Sequence, residues 1–470
     1  MVSAELLHAS LTAAAWIIAG GIALSGIDDL ALDLAAHFRT AVRRVTIYSR
    51  HPRAACSDLS CPPERPIAIL VPAWQESGVI GRMLRHLRTV LAYRRYRVFL
   101  GCYPNDPATA QAARAVDPGC TWLELVALDS PGSTSKAHCL NGIWDGIQAY
   151  ERRTGIRFEM FVLHDAEDVV HPAELRLFNY LADRADMIQV PVVPLPHRLR
   201  DVVAGTYLDE FAECHQKDLV LRERLAGGVP SAGVGCGFSR AALEAVAKRR
   251  NGQPFRTSSL TEDYDLALSL LGLGRRSIFV RLADQPRSKG VSARAVVATR
   301  EYFPVRLMAA VRQKARWLIG ITLQSWRDQG WPGPLGAKYM LLRDRKALIA
   351  APLAALTYPL AAAMLAYEAW CHGPSPAAPP LFASDDPLLL LLGFNGALLV
   401  WRAIHRAFYV GRLYGRSEAL LSLLRLPVAN LVNCLAAVRA VRLYLLHRLT
   451  GRPLAWDKTR HAFPKMDPTQ

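Results

Sequence analysis

Long stretches without charged residues constrain this chain more than any other feature, because about twenty apolar residues suffice to cross a bilayer core of roughly 30 Å. Two such stretches are 6–27 and 347–367, and a shorter third is 387–401, where Arg402 can extend to the interface. The first stretch has no basic segment before it and no clear small-residue cleavage site, which favours an uncleaved anchor over a signal peptide. The sequence therefore predicts three spans, with 417–446 lying along the cytoplasmic face because too few uncharged residues follow one another there.

The positions of the basic residues predict how these spans are oriented. Lys and Arg flank one end of every span but are missing from 368–386. The flanking residues are Arg39, Arg43, Arg44, Arg50, Arg53, Arg343, Arg345, Lys346, Arg402, Arg406, Arg412 and Arg416. Since basic loops stay in the cytoplasm, the N-terminus and 368–386 are expected outside and the large central region inside. The net charge of +17 is then explained by the topology, which places basic residues beside the lipid bilayer, and by an anionic substrate. No nucleic-acid partner is expected, because the sequence contains no nucleic-acid-binding motif.

Short apolar runs alternate with helix-like segments in the central region. Strands are predicted at 67–74, 97–103, 122–128, 158–164, 187–193 and 277–281, and helices at 77–91, 109–116, 136–150 and 172–184. This alternation predicts an α/β domain with a mostly parallel sheet and helices on both faces. The predicted organisation is an anchor (1–35), a basic linker (36–65), a cytoplasmic domain (66–340), two transmembrane helices (341–410) and interfacial helices with a basic tail (411–470).

Three carboxylates follow the fourth predicted strand in the sequence FVLHDAEDVVHP, namely Asp165, Glu167 and Asp168. Open α/β sheets bind ligands at the carboxyl ends of their strands, and carboxylates are the ligands that Mg²⁺ and Mn²⁺ prefer. The cluster therefore suggests a divalent cation that holds a phosphorylated substrate. An acidic turn that caps the next helix is an equally simple interpretation of these three residues alone.

Polar residues also follow the first three predicted strands, as expected for a nucleotide site at this edge of the sheet. They are Pro72 and Glu76 after the first, Asn105 and Asp106 after the second, and Lys136 after the third. Each turn alone is also consistent with a helix cap. The spacing around Lys136 is not that of a P-loop, which disfavours ATPase chemistry. Nine scattered cysteines without a C-x-x-C pair argue against a disulfide framework or a zinc site.

Three further stretches complete the candidate site. The side chains of SAGVGCGFS at 231–239 are mostly small, which would let the backbone approach a ligand closely. An ordinary Gly-rich loop has the same composition. Glu262 and Asp263 follow Thr261, which makes them either a general-base motif or the acidic first turn of a capped helix. A helix over RQKARW would place three of its side chains on one face, where they would contact either a sugar diphosphate or the membrane surface. These side chains are Gln313, Arg316 and Trp317.

Taken in order, these motifs resemble those of glycosyltransferase family 2, over roughly 66–330. The resemblance rests on VPAWQES, NDP, STSKAHCLN, HDAED, LTED and QKARW. It implies a GT-A, Rossmann-like fold with transmembrane helices at both ends, the Q-x-x-R-W motif being that of membrane polysaccharide synthases. Finer features are most similar to inner-membrane transferases of phage adsorption. These features are YPNDP, HDAEDVVHP and PLAWDKTRHAFP.

The resemblance also implies a reaction. A family member in the bacterial inner membrane would transfer a sugar, such as an N-acetylhexosamine, from a UDP-sugar to a growing cell-surface polysaccharide, with inversion; the acceptor would be a glycan or lipid-linked. Mg²⁺ or Mn²⁺ would be bound by Asp165 and either Glu167 or Asp168, Asp263 with Glu262 would be catalytic, and the remaining motif residues would bind the nucleotide sugar. The remaining motif residues are Pro72, Glu76, Asn105, Asp106, Lys136, Gln313, Arg316 and Trp317. A polymer product requires an export partner, whereas the alternatives are single-sugar transfer to a lipid carrier and a non-catalytic membrane scaffold.

Overall fold

A seven-stranded sheet lies at the centre of the chain in the computed structural model. The structure describes residues 2–51, 53–59, 62–284, 296–372, 380–382, 385–452, 454 and 462–464. The strands are β1 (Ile67–Pro72), β2 (Tyr96–Cys102), β3 (Leu123–Ala127), β4 (Met160–Leu163), β5 (Met187–Gln189), β6 (Val192–Pro194), β7 (Cys236–Ser239), β8 (Ser277–Phe279) and β9 (Thr299–Glu301). The order across the sheet is β3-β2-β1-β4-β7-β5-β8, and β6 pairs with β9 in a separate parallel ribbon.

The sheet is parallel except at β7, which runs antiparallel to both of its neighbours. Every residue of β1 is buried, as expected of a central parallel strand covered on both faces. Ile67 and Ile69 pack with the helices on one face, whereas Ala68 and Leu70 pack with those on the other. The predicted mostly parallel α/β sheet with helices on both faces is thus confirmed.

Helices connect the strands, and some of them begin with a side-chain cap. They are α2 (Ile80–Val90), α3 (Pro107–Arg114), α4 (Lys136–Thr154), α5 (Glu174–Leu181), α6 (Val202–Glu213), α7 (Leu219–Ala226), α8 (Arg240–Ala247), α9 (Glu262–Gly272), α10 (Leu307–Leu318) and α11 (Ser325–Gln329). The Ser135 hydroxyl accepts a hydrogen bond from the His138 N–H at the start of α4, which leaves Lys136 in the first turn. Thr261 stands at the corresponding position before α9, but its hydroxyl makes no capping hydrogen bond.

Two predicted elements differ from the structure. The stretch 187–193 forms two strands in different sheets, β5 and β6, because Pro191 between them has no N–H to donate to a continuous ladder. The Gly-rich stretch 231–239 is a loop only in its first half, since Cys236–Ser239 is the antiparallel strand β7. The sequence did not predict this strand, because the short side chains of the stretch are also typical of a loop. The strand is buried between β4 and β5.

Five helices lie outside the central domain. They are α1 (Val2–Thr46), α12 (Leu335–Cys371), α13 (Pro387–Tyr414), α14 (Arg416–Leu424) and α15 (Leu426–Thr450). Four of them are long and apolar enough to cross a membrane by length and composition, namely α1, α12, α13 and α15. The first three contain the predicted spans, and α15 adds a fourth candidate within the stretch that the sequence predicted to be interfacial.

Glycines bring α1 close to the other membrane helices. A Cβ atom at Gly21 would lie 2.8 Å from a methyl group of Leu353 in α12, and one at Gly26 would lie 2.7 Å from a methyl group of Leu398 in α13. Small residues allow such close approach between helices in a bilayer. The same helix is held to the central α/β domain by a buried ion pair between Asp33 and Lys217.

Candidate active site

A cavity of about 240 Å³ opens at the carboxyl edge of the sheet. Its walls come from the turns after β1 and β4, the first turn of α4, the loop before β7, and helices α9 and α10. The sequence-predicted residues that line it are Pro72, Glu76, Lys136, Asp165, Glu167, Glu262, Asp263, Gln313, Arg316 and Trp317. The structure therefore brings together side chains that are up to 245 positions apart in the sequence.

Lys136 is the cation at the centre of this acidic cavity. Its ammonium group lies 2.5 Å from an Asp165 oxygen and 4.0 Å from a Glu262 oxygen. Burial acts to lower the pKa of Lys136, but Asp165, Glu262 and Asp263 outweigh that effect and raise the pKa well above its usual value. Lys136 is therefore positively charged within the cavity.

Glu262 and Asp263 form the first turn of α9. Burial raises the pKa of Glu262 to about 7, with Lys136 opposing and Asp263 adding to the shift. Burial likewise raises the pKa of Asp263, against the opposing charge of Lys136. A carboxylate with a raised pKa is a stronger base than an ordinary aspartate, which is the property required of a group that accepts a proton near neutral pH.

Gly233 forms the surface against which the Asp263 carboxylate lies. A Cβ at position 233 would be 2.6 Å from the Oδ2 atom of Asp263, and the backbone there has a φ of +77°. Both observations require glycine, because other residues would clash and would resist this left-handed conformation. The Gly-rich loop thus places its backbone next to a carboxylate of the cavity, and its approach to a ligand stays a prediction.

The three acids after β4 do not point the same way. Asp165 and Glu167 line the cavity, whereas Asp168 is fully buried and turns towards His164. The Nδ1 atom of His164 lies 2.8 Å from Asp168, and its Nε2 atom lies 2.8 Å from Glu174. Burial acts to lower the pKa of His164, but Glu174 and Asp168 outweigh it and raise the pKa to about 10. Asp168 is therefore engaged in holding the turn.

The donor set of the turn fits a hard divalent cation. Asp165 and Glu167 are separated by one residue and offer carboxylate oxygens to the same cavity. Mg²⁺ characteristically takes one or two protein carboxylates and completes its shell with water and substrate phosphates. Within the described ranges there is no group of three or more His, Cys, Asp and Glu residues arranged around a common metal position. The two carboxylates fit a cation that is bound together with a phosphorylated donor.

Helix α10 supplies the opposite wall. The Gln313 amide oxygen accepts a hydrogen bond of 2.9 Å from the Tyr207 hydroxyl, and Arg316 faces the acids of α9. The Trp317 ring centre lies 6.4 Å from those of Phe211 and Phe303. These three side chains belong to one helix face, as predicted, and that face is turned to the cavity. The indole meets the planes of Phe211 and Phe303 at 53° and 76°, and the three rings form an apolar wall of the cavity.

Asn105 and Asp106 lie beside the cavity and brace its rim. The Asn105 amide exchanges two hydrogen bonds of 2.7 Å with the backbone of Gly132, and Asp106 accepts one of 2.6 Å from the Gln75 N–H. A Cβ at Gly132 would lie 2.5 Å from the ring of Trp74, which lines the cavity. Both predicted residues thus fix the loops around Trp74, and their side chains are not among those that line the cavity.

The prediction missed several residues that line the cavity, chiefly Phe211, His215 and Phe303. Phe211 and His215 are four positions apart along α6 and the short π-helical turn Cys214–Asp218 that follows it. The His215 Nδ1 atom accepts a hydrogen bond of 2.9 Å from the Val192 N–H, and burial lowers the pKa of this imidazole to about 3. A neutral His and a Phe at helical spacing would have been the only signal in the sequence.

The family follows from a direct comparison. The model described as "Glycosyltransferase like family 2" matches residues 62–320. The chain belongs to glycosyltransferase family 2. This confirms the family that the ordered motifs predicted, and the matched segment contains the sheet together with every residue named above as lining the cavity.

Two curated relatives have similar sequences. Bacteriophage adsorption protein B of Escherichia coli (strain K12) is 42% identical over 463 residues, which cover 94% of this chain and 61% of that protein. Bacteriophage N4 adsorption protein B of Escherichia coli O157:H7 matches with the same identity and coverage. The predicted similarity to phage-adsorption transferases is confirmed, and the chain spans about 61% of the length of these relatives.

Solved structures resemble the chain more distantly. The mannosyltransferase PcManGT from Pyrobaculum calidifontis, in complex with GDP-Man and Mn²⁺, has 18% sequence identity and a TM-score of 0.49, and the match covers 89% of this chain and 99% of that one. TarS 1–349 of S. aureus has 10% identity and a TM-score of 0.35, with 74% of this chain and 93% of that one covered.

Proposed function

We propose that this membrane-associated family 2 glycosyltransferase transfers a sugar from a UDP-sugar to a growing cell-surface polysaccharide at the bacterial inner membrane. The observation that carries the proposal is the composition of one cavity. Lys136, the carboxylates of Asp165 and Glu167, the buried Asp263 and the aromatic wall at Trp317 all face it. The charged half of the cavity would bind a diphosphate, and the apolar half would bind a sugar acceptor. The candidate base, Asp263, lies between the two halves.

The donor half of the cavity suits a nucleoside diphosphate. Asp165 and Glu167 would hold Mg²⁺ or Mn²⁺, which neutralises charge on a departing diphosphate. Lys136 and Arg316 add fixed positive charge on the two sides of the same space. Lys136 is held within 2.5 Å of Asp165, so its charge is already oriented before a donor arrives.

The acceptor half of the cavity suits an attacking sugar hydroxyl. The Asp263 carboxylate accepts the proton of that hydroxyl as the oxygen attacks the anomeric carbon, and UDP leaves from the opposite side. One displacement without an enzyme-bound sugar inverts the anomeric configuration. Glu262 lies next to Asp263 in the same helix turn, and burial raises its pKa to about 7.

Repeated addition requires that the end of the acceptor remain bound between cycles. Trp317 with Phe211 and Phe303 provides a wall for a terminal sugar next to the base, and α10 continues through a π-helical turn and α11 towards α12. This continuity between the acceptor wall and a membrane helix supports a polymer that leaves towards the bilayer. A periplasmic or outer-membrane partner, or a second copy of the chain, would complete the export path.

Asp263→Asn tests the assignment of the base. The variant keeps the shape of the side chain but cannot accept a proton, so the transfer rate should fall by roughly 10²- to 10⁴-fold while UDP affinity stays near that of the unmodified protein. Transfer is measured on protein purified in detergent, with a panel of UDP-sugars and with UDP release as the readout.

Asp265→Asn is the matched control, two positions further along α9. Asp265 is not a cavity residue, and its carboxylate pairs instead with Arg250 at 2.6 Å and Arg256 at 3.0 Å. Its loss should lower thermal stability and leave the rate per folded molecule largely unchanged. Turnover of Asp263→Asn equal to that of the unmodified protein would return Asp263 to a structural role.

A further inference from the structure

Residues 343–346 at the cytoplasmic start of α12 attach this membrane helix to two other parts of the molecule. Arg343 and Lys346 lie 2.8 and 3.0 Å from a carboxylate oxygen of Asp29 in α1. Asp344 lies between them in the sequence and, because successive helix residues are about 100° apart, points away from α1. Its side chain enters the cytoplasmic domain.

Asp344 makes three short polar contacts with two buried residues of that domain. Its two oxygens each accept a hydrogen bond of 2.8 Å from the Arg222 guanidinium, and Oδ2 also accepts one of 2.6 Å from the Tyr264 hydroxyl. Burial acts to lower the pKa of Arg222, but Asp344 outweighs it and raises the pKa. Two parallel bonds between Arg and a carboxylate define both distance and angle, so this contact is stiff.

Tyr264 connects this contact to the active site. It follows Asp263 directly in the first turn of α9, its side chain is only 4% exposed, and it lines the cavity together with Asp263. A displacement of Tyr264 therefore displaces the backbone that carries the Asp263 carboxylate. The position of the Asp263 carboxylate is sensitive because Gly233 leaves it little free space.

We propose that Asp344 is a positioning residue, which sets the location of Asp263 relative to the membrane helix α12 through Tyr264 and Arg222. The proposal rests on the proposed function, since it assumes that Asp263 is the base. It adds that the alignment of the base depends on α12, the helix that leads from the cytoplasmic domain into the bilayer. No residue of this contact needs to touch the substrate for the effect to occur.

Asp344→Asn removes this contact with little change in side-chain volume. The amide has a single oxygen acceptor, and its NH₂ group would face the Arg222 donors that the carboxylate now satisfies. Arg222 and Tyr264 would then compete for one acceptor, and the first turn of α9 would lose its fixed position. Asp344→Glu restores both oxygens on a longer side chain and should recover part of the lost activity.

The kinetic test compares Asp344→Asn with Asp29→Asn. Asp29 pairs with Arg343 and Lys346, which flank Asp344 in the sequence, and these ion pairs include neither Tyr264 nor Arg222. In Asp344→Asn the kcat for transfer should fall by roughly 10- to 100-fold, as expected of a base misplaced by up to 1 Å, with unchanged KM for the donor and unchanged UDP-binding stoichiometry. Asp29→Asn should keep the kcat of the unmodified protein. A purely structural role would instead lower the UDP-binding stoichiometry, and that result or an unchanged kcat would overturn the proposal.

Hydrogen exchange provides a readout that does not depend on transfer. Amides in the first turn of α9 should exchange roughly 10- to 100-fold faster in Asp344→Asn than in Asp29→Asn, since a lost charged hydrogen bond lowers the cost of local opening. Equal exchange in the two variants refutes the coupling whatever the enzyme transfers. Faster exchange in a protein that transfers no sugar from any UDP-sugar would instead refute the proposed function and leave the coupling in place.

Discussion

A methyl group added at Gly233 should displace the candidate base without removing it. The new Cβ would lie 2.6 Å from Asp263 Oδ2, whereas ordinary contacts begin at 3.4 Å. The carboxylate or the loop must therefore retreat by about 0.8 Å, and a misplacement of about 1 Å at a reacting group costs up to roughly 10²-fold in rate. The left-handed backbone at φ +77° adds a folding cost of about 1–2 kcal/mol for any residue with a Cβ.

Gly155→Ala separates these two effects. Gly155 ends α4 with a φ of +73°, and a Cβ there would meet nothing within 4 Å. Both variants should lose a similar amount of thermal stability, but only Gly233→Ala should lose transfer rate. The assay is UDP release per folded molecule, with UDP affinity measured in parallel. Equal rates in the two variants would refute the reasoning, because Asp263 would then tolerate displacement.

Four further predictions follow from contacts of single residues. Asp165→Ala should abolish transfer and weaken UDP binding in the presence of Mn²⁺, and full activity in EDTA would contradict it. Trp317→Ala should shorten the product while sparing slow donor hydrolysis, whereas a monosaccharide adduct as the only product of the unmodified protein would exclude a polymer. The transfer rate should fall on acidification at a pH above the usual aspartate pKa of about 4, since burial raises the pKa of Asp263 and only its carboxylate accepts a proton; a profile flat down to pH 4 would argue against this base. Arg425→Met should cost about 3–5 kcal/mol in thermal unfolding, because it leaves the fully buried Asp209 carboxylate without its partner at 2.6 Å; an unchanged melting temperature would contradict this.

The sequence was sufficient to predict which motifs meet. Lys136, Asp165 and Glu76 each follow a predicted strand, and the rule that parallel strands present their carboxyl ends at one edge places such residues together. The prediction worked because local patterns set the strands and the topology then sets the edge. Asp263 and Arg316 lie on helices outside this rule, and only the family resemblance brought them to the same site.

The sequence could not predict the direction in which each side chain points. Asp168 and Glu167 are adjacent and chemically similar, so both remained candidates for the second metal position. Asp168 points inward because it forms a buried polar cluster with His164 and Glu174, in which His164 contacts both carboxylates. His164 stands next to the acids in the sequence, but Glu174 joins it only after the chain has turned into α5.

The aromatic residues of the cavity wall could not be predicted for a different reason. Phe211 belongs to α6, a helix that the sequence analysis did not identify, and Phe303 follows β9, a strand of three residues. Strands this short carry too few positions for an alternating pattern to emerge. At the site the two phenyl rings contact each other at 5.0 Å between ring centres, and each lies 6.4 Å from Trp317 on α10. Such contacts between distant segments have no local signature.

The contacts of the C-terminal segment decide how many of the four candidate helices can cross the bilayer. Phe463 is 5% exposed, and its ring centre lies 6.0 Å from that of His86 in the central α/β domain. The chain must therefore return to the side from which α12 departs, which requires an even number of crossings among α12, α13 and α15. Because α15 also packs on α10 through Ala436 and Ala440, we expect it to be the helix that stays on the cytoplasmic side. We expect three spans in total and a reporter fused after Gln470 to be cytoplasmic, and a periplasmic reporter would require α15 to cross and Phe463 to leave its site.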